Sequence, residues 1–90
     1  MKTTLGPNTF PIIRDMVDEI RTVSETQILQ ATKLIWERLK VCIEPSAGVG
    51  VAVALSDSFQ QDYKDCQNVG IILCGGNVDI VKVAKKMEAI

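Results

Sequence analysis

The sequence predicts an α/β fold, in which helices pack on a few strands that belong to a larger sheet. Hydrophobic residues make up 47% of the 90 residues and aromatic residues only 4%, so the apolar side chains are mainly those of Val, Ile, Leu and Ala. A continuous apolar run from Val69 to Leu73 is typical of a strand covered on both faces. A chain of this length buries only about 60 to 65% of its unfolded surface. We therefore expect a partial three-layer domain and no complete independent domain within residues 1–90.

The first predicted helix follows Asn8-Thr9, which can cap it, and Pro11 is tolerated in its first turn. Apolar residues at a spacing of four extend this helix to about Asp18. Residues 20–23 are then expected to form a short strand with one buried face. A loop and two short elements thus precede the strongest helical signal.

That signal is the sequence Ser24-Glu25-Thr26-Gln27, which matches a capping box. Val23 before the cap and Ile28 within the helix have the spacing of a hydrophobic staple. The sequence therefore predicts a second helix that begins after Ser24. Apolar residues at helical spacing extend it, namely Ile28, Ala31, Ile35, Leu39 and Cys42.

The segment Ala47 to Leu55 is apolar on every side, so a helix here would need burial all round, which ninety residues can hardly supply. Gly48-Val49-Gly50 suggests a dinucleotide fingerprint, but Val53 stands where that pattern requires Gly or Ala. These glycines are instead expected to allow close approach of neighbouring elements. Glu44 would lie at the edge of any cavity that this helix closes, or it is a surface cap. Residues 57–65 are expected to be a polar connection.

The apolar run ends at Cys74 and turns through Gly75-Gly76 toward a final helix, with Asn77 as its expected cap and Asp79 in its first turn. Ligands of α/β proteins bind at the carboxyl ends of strands, and free N–H groups at a helix N-terminus favour an anion such as phosphate. A tight turn that binds nothing explains the same residues.

Composition excludes several other functions. The net charge is −1, and three lysines near the end of the chain suit the last turn of a helix rather than a polyanion site. The three cysteines have no Cys-x-x-Cys spacing and the chain has no histidine, so a zinc site or a disulfide framework is not expected. The first eight residues lack the apolar run of a secretion signal. We therefore expect a cytoplasmic location.

Several segments together resemble the C-terminal part of serine racemases, pyridoxal-phosphate enzymes of fold type II in the serine/threonine dehydratase family. The resemblance spans nearly the whole chain in the same order. The segments that carry it are Asn8-Thr9-Phe10-Pro11-Ile12-Ile13-Arg14-Asp15, Trp36-Glu37-Arg38-Leu39-Lys40, Ile43-Glu44-Pro45-Ser46-Ala47-Gly48-Val49-Gly50 and Cys74-Gly75-Gly76-Asn77-Val78-Asp79.

The resemblance implies that this chain supplies one wall of the cofactor site. Cys74 would face the pyridine nitrogen of pyridoxal phosphate, Gly75 and Gly76 would lie beside the cofactor, and Glu44 would line the pocket. The lysine that holds the cofactor and the catalytic serine belong to a region outside this chain, so no catalytic residue is assigned. Racemases of this family usually have serine where Cys74 stands, and related serine dehydratases have cysteine. Racemisation and elimination to pyruvate both stay open.

The resemblance further implies that Lys40 and Asn77 lie at a nucleotide site, where the animal enzymes bind ATP as an activator between the subunits of a homodimer. Asn8 would lie beside a divalent-cation site, for Mg²⁺ or Ca²⁺. From the residues alone, Lys40 is a solvated lysine, Asn77 a helix cap and Asn8 a turn residue.

The resemblance therefore predicts part of an enzyme that interconverts L- and D-serine, with serine dehydration as a related activity. The chain by itself is expected to be inactive. Two alternatives remain, a free-standing module that binds a phosphate or nucleotide, and a subunit that completes a split enzyme.

Overall fold

A computed structural model describes residues 5–90 as five α-helices joined by turns and extended segments. The helices are α1 (Phe10–Met16), α2 (Glu25–Leu39), α3 (Val49–Leu55), α4 (Asp57–Asp62) and α5 (Ile80–Glu88). A 3-10 turn, Pro45–Gly48, leads directly into α3. No helix in this part of the chain is long and apolar enough to cross a membrane.

The capping-box prediction is confirmed at the start of α2. The hydroxyl of Ser24 accepts from the amide of Gln27, and the amide of Ser24 donates to Gln27 Oε1 at 2.8 Å. Both hydrogen bonds satisfy N–H groups that a helix start would leave without partners. The longest helix therefore begins where the sequence predicts.

Helix α2 is the centre of the packing, and the 3-10 turn, α3 and α5 all contact it. Ala31, Thr32 and Ile35 are its buried residues. Ile35 forms a core cluster with Ile43 and Ala47, against which Trp36, Val51 and Leu73 pack while partly buried. The extended run that ends at Leu73 is thereby attached to α2.

The two glycines of the 47–55 segment allow close approach, as predicted. A Cβ at Gly48 would lie 2.3 Å from Oγ1 of Thr32, whose side chain is fully buried. A Cβ at Gly50 would lie 3.1 Å from Cγ2 of Ile71. The segment is helical but covered on one side only, since Ala47, Gly48 and Ala52 are buried and Leu55 is exposed.

The predicted strands do not form within residues 5–90, where the structure contains helices, turns and unpaired extended segments. Strands are defined by hydrogen bonds to a neighbouring strand, and neither 20–23 nor 69–73 has one. Ile20 is 73% exposed and Ile72 is 85% exposed. The prediction of a run buried on both faces is therefore wrong for this chain, because nothing within residues 5–90 covers one of those faces.

Other predicted boundaries also need correction. Helix α2 ends at Leu39 because Lys40 adopts the left-handed conformation, so Cys42 lies outside the helix and is exposed. Residues 57–62 form α4, capped by Ser56, instead of a connection. Helix α1 ends two residues before the predicted limit.

Candidate functional site

The residues Cys74-Gly75-Gly76, here called the Gly75 turn, contact the loop that contains Glu44. The amide of Glu44 donates to the carbonyl oxygen of Gly75 at 2.8 Å. The side chain of Glu44 lies against the same residue, since a Cβ at Gly75 would meet its Oε1 at 2.0 Å. Gly75 has a φ of 85°, which residues with a Cβ rarely adopt. Both contacts and the backbone conformation thus favour glycine at this position.

The Glu44 loop is in turn attached to α2 through Trp36. The indole N–H of Trp36 donates to the carbonyl oxygen of Ile43 at 2.8 Å. Ile43 is buried beside Ile35 and Ala47. A series of contacts therefore leads from α2 through residues 43 and 44 to the Gly75 turn.

Within this turn the side chain of Cys74 is exposed and not part of the closed core. No atom lies within 4 Å of the position that a Cβ would occupy at Gly76, so this side of the turn is open. An accessible thiol beside two glycines leaves room for a flat ring on this side of the turn. The role of this turn as a wall against pyridoxal phosphate stays a prediction.

The final helix differs from the prediction at its N-terminus. Asp79 is the cap of α5, and its carboxylate accepts from the amide of Lys82 at 3.1 Å. Asn77 is exposed, precedes the helix and does not cap it. Because three residues separate Gly76 from Ile80, and a carboxylate already caps the helix, an anion site at this N-terminus is not supported.

Two other predicted site residues lie elsewhere on the surface. The ammonium group of Lys40 donates to the carbonyl oxygen of Glu37, at the end of its own helix. Asn8 is exposed in the turn before α1, and Thr9 is the residue at the helix N-cap. Residues 5–90 contain no group of three or more His, Cys, Asp or Glu side chains arranged for a metal ion.

A second group of interacting side chains, the Arg21 cluster, was not predicted from the sequence. Arg21 pairs with Glu19, with Nε 3.0 Å from Oε1, and with Asp62 on α4. Its Nη1 also donates to Ser58 Oγ at 3.3 Å. The hydroxyl of Tyr63 donates to Glu19, which closes the group.

Aromatic rings complete the Arg21 cluster. The guanidinium carbon lies 5.7 Å from the centroid of Phe59 and 5.4 Å from that of Tyr63, within the range of cation–π attraction. The hydrogen bond from Tyr63, followed by the ion pair with Arg21, lowers the pKa of Glu19. The same hydrogen bond to Glu19 raises the pKa of Tyr63, and the hydrogen bond to Asp62 raises the pKa of Arg21.

The Arg21 cluster borders a cleft of about 460 Å³ between residues 18–21 and the extended run. Apolar residues line the rest of the cleft, namely Gly50, Val53, Ala54, Phe59, Tyr63 and residues 69–71. This cleft lies between the two segments that were predicted to be strands. Because the cleft separates the two segments, they form no strand ladder with each other.

Comparison with known proteins gives consistent matches over most of the chain. A family model described as pyridoxal-phosphate dependent enzyme matches residues 1–75. The chain is 50% identical over 89 residues to the serine racemase of Rattus norvegicus, which covers 99% of this chain and 27% of the relative. It is 55% identical over 80 residues to the serine racemase of Homo sapiens, with 89% of this chain and 24% of the relative covered.

A solved structure gives the same result. The crystal structure of serine racemase from Dictyostelium discoideum is similar to this chain with a TM-score of 0.80 at 49% sequence identity. The match covers 86% of this chain and 25% of that structure. The chain spans about a quarter of the length of the curated relatives it matches.

Proposed function

The chain belongs to the family of pyridoxal-phosphate dependent enzymes, and we propose that it supplies one wall of the cofactor site of a serine racemase. Its helices would cover one face of a larger fold type II sheet, as the C-terminal part of the catalytic domain. The extended segments 20–23 and 69–73 would then pair with strands of that sheet. Their exposed apolar side chains, such as Ile20 and Ile72, support this placement.

The observation that carries the proposal is the geometry of the Gly75 turn. Leu73 packs partly buried against the core, whereas the next residue, Cys74, is exposed. The chain thus changes from a packed residue to an accessible thiol within one position, directly before a glycine with φ of 85°. A surface of this kind can approach a flat cofactor closely, because neither glycine carries a side chain.

When bound, pyridoxal phosphate withdraws electrons from the α-carbon of an amino acid and so makes removal of the α-proton feasible. Cys74 would lie against the pyridine nitrogen and offer it a neutral thiol. A thiol does not enforce a protonated ring nitrogen as a carboxylate would. The chain's contribution would therefore be to moderate electron withdrawal and to exclude water on its side of the site.

The substrate in this proposal is serine, which becomes D-serine by racemisation and pyruvate by elimination. The identities of about 50% to serine racemases support racemisation as the main reaction. Cysteine at position 74 supports serine dehydration as a second activity, by resemblance to the dehydratases. No residue of this chain is assigned a proton-transfer role.

We also propose regulatory features by resemblance to the animal enzymes. Lys40 and Asn77 would contact ATP at the interface of a homodimer, and Asn8 would lie beside Mg²⁺ or Ca²⁺. The side chain of Lys40 would have to leave the carbonyl oxygen of Glu37 to bind a nucleotide. A reducing cytoplasmic location suits the three free cysteines.

Activity of the separate and combined parts tests this proposal. The purified chain with pyridoxal phosphate and L-serine should give neither D-serine nor pyruvate. Co-expression with the lysine-bearing remainder of a serine racemase should restore both products, measured by chiral chromatography and a coupled pyruvate assay.

A matched control is the same remainder expressed with no partner chain. Production of D-serine by the purified chain alone would contradict the assignment. A combined protein that binds ATP but never converts serine would instead favour the free-standing nucleotide-binding module.

A further inference from the structure

Trp36 and Glu44 join the packed core to the Gly75 turn, although they lie on different segments of the chain. Trp36 is near the end of α2, and its indole N–H is 2.8 Å from the carbonyl oxygen of Ile43. The next amide along the chain, that of Glu44, is 2.8 Å from the carbonyl oxygen of Gly75. Residues 43 and 44 thus connect α2 to the turn through two hydrogen bonds.

The side chain of Glu44 adds a second contact with the turn. Its Oε1, Cδ and Cγ would all lie within 2.8 Å of a Cβ at Gly75, so the side chain lies directly along the glycine. Glu44 is only partly exposed. The side chain of Glu44 therefore restricts movement of the Gly75 turn toward residue 44.

We propose that Trp36 and Glu44 are positioning residues that hold Cys74 at the cofactor face, an inference that rests on the proposed function. Neither side chain needs to touch the cofactor for this role. Within residues 5–90 the extended run before Cys74 forms no ladder. In this part of the protein the turn is held by the hydrogen bond from the Glu44 amide and by the packing of Leu73 on the core.

Amide hydrogen exchange in the chain without cofactor tests the role of Trp36. Trp36→Phe keeps an aromatic ring and removes the donor to Ile43. One lost hydrogen bond is worth about 1 kcal/mol, so exchange of the residue 44 amide should rise about fivefold. Gln27→Ala is the matched control, because it removes a 2.8 Å hydrogen bond at the opposite end of the same helix. This control should leave exchange at residue 44 unchanged.

The thiol provides a second readout that does not depend on helix stability. The alkylation rate of Cys74 relative to Cys66, another exposed cysteine outside the turn, should change about threefold or more in Trp36→Phe and Glu44→Ala. Glu44→Gln, which keeps the shape of the side chain, should restore the original ratio. If Trp36→Phe raises hydrogen exchange throughout α2, the substitution destabilises the whole helix. The alkylation ratios of Glu44→Ala and Glu44→Gln then test the positioning role.

Unchanged exchange at residue 44 in Trp36→Phe, together with an unchanged Cys74 to Cys66 ratio in Glu44→Ala, would overturn the positioning role. These measurements contain no cofactor, so their failure leaves the proposed racemase function intact. Conversely, a combined protein that never converts serine, but in which both variants loosen the turn as expected, would overturn only the function.

Discussion

The Gly75 turn and the Arg21 cluster both join distant parts of the chain, but they do so by different means. The Gly75 turn is attached through backbone carbonyls, an indole N–H and a buried apolar cluster. The Arg21 cluster is attached through ion pairs, a tyrosine hydroxyl and ring contacts near the surface. Apolar packing and backbone bonds depend little on pH or salt, whereas surface ion pairs depend on both.

This difference indicates separate roles for the two regions. The Gly75 turn, which we propose as a cofactor face, is built from interactions that keep one geometry as pH and salt change. The Arg21 cluster connects residues 19–21 to α4 and to Tyr63, which directly follows α4, beside an open cleft. The strength of its ion pairs and hydrogen bonds varies with protonation. Perturbing each region should therefore give effects of different size and kind.

The largest effect is expected for Gly48→Ala in the apolar core. The new Cβ would lie 2.3 Å from Thr32 Oγ1 and 3.4 Å from the backbone oxygen of Ile28. Overpacking of this kind costs about 1 to 3 kcal/mol. The free energy of unfolding should fall by that amount in urea titrations followed by the fluorescence of Trp36, the single tryptophan.

Gly70→Ala is the matched control, because nothing lies within 4 Å of its added Cβ. Its effect should stay below about 0.5 kcal/mol. Thr32→Ala in the Gly48→Ala background removes the clashing hydroxyl, so a double-mutant cycle should give a favourable coupling energy. Strictly additive losses would contradict the close contact between α2 and the 3-10 turn.

A smaller, pH-dependent effect is expected at the Arg21 cluster. The pKa of Glu19 is lowered from 4.5, so its contribution is present above this value and is lost as the pH falls through the folded-state pKa. The pKa of Tyr63 is raised from 10.0, so its contribution is present below this value and is lost as the pH rises further. Unfolding midpoints measured across both ranges should fall at each end.

Glu19→Gln should flatten the acid limb, and Tyr63→Phe should flatten the alkaline limb. The midpoint of Gly48→Ala should be displaced at every pH without a change in the shape of the curve. An acid limb that stays unchanged in Glu19→Gln would contradict the contribution of Glu19 to stability.

Local sequence signals predicted several elements correctly because their causes are local. The capping box of Ser24 needs only four consecutive residues, and it is formed as expected. The close approach at Gly48 follows from a small residue in an apolar segment. Helices α1, α2 and α5 were also predictable from their apolar periodicity, whereas α4 was expected to be a connection.

Features that depend on other parts of the protein could not be predicted in this way. Residues 69–73 have the composition of a buried strand, yet a strand requires partners that residues 5–90 do not supply. The contact between Glu44 and Gly75 joins residues 31 positions apart, and the bond between Arg21 and Asp62 joins residues 41 apart. No local pattern encodes such pairs. A buried tryptophan usually finds an acceptor for its N–H, but the sequence does not indicate that the acceptor of Trp36 is the carbonyl oxygen of Ile43.

Protection of Cys74 by the cofactor tests directly whether the Gly75 turn lies against pyridoxal phosphate. The chain combined with the lysine-bearing remainder of a serine racemase would be treated with iodoacetamide, with and without pyridoxal phosphate, and each cysteine quantified by mass spectrometry. The cofactor should slow alkylation of Cys74 about tenfold or more and leave that of Cys66 unchanged. Equal alkylation of Cys74 in the cofactor-loaded and cofactor-free proteins would contradict the assignment of the Gly75 turn to the cofactor site.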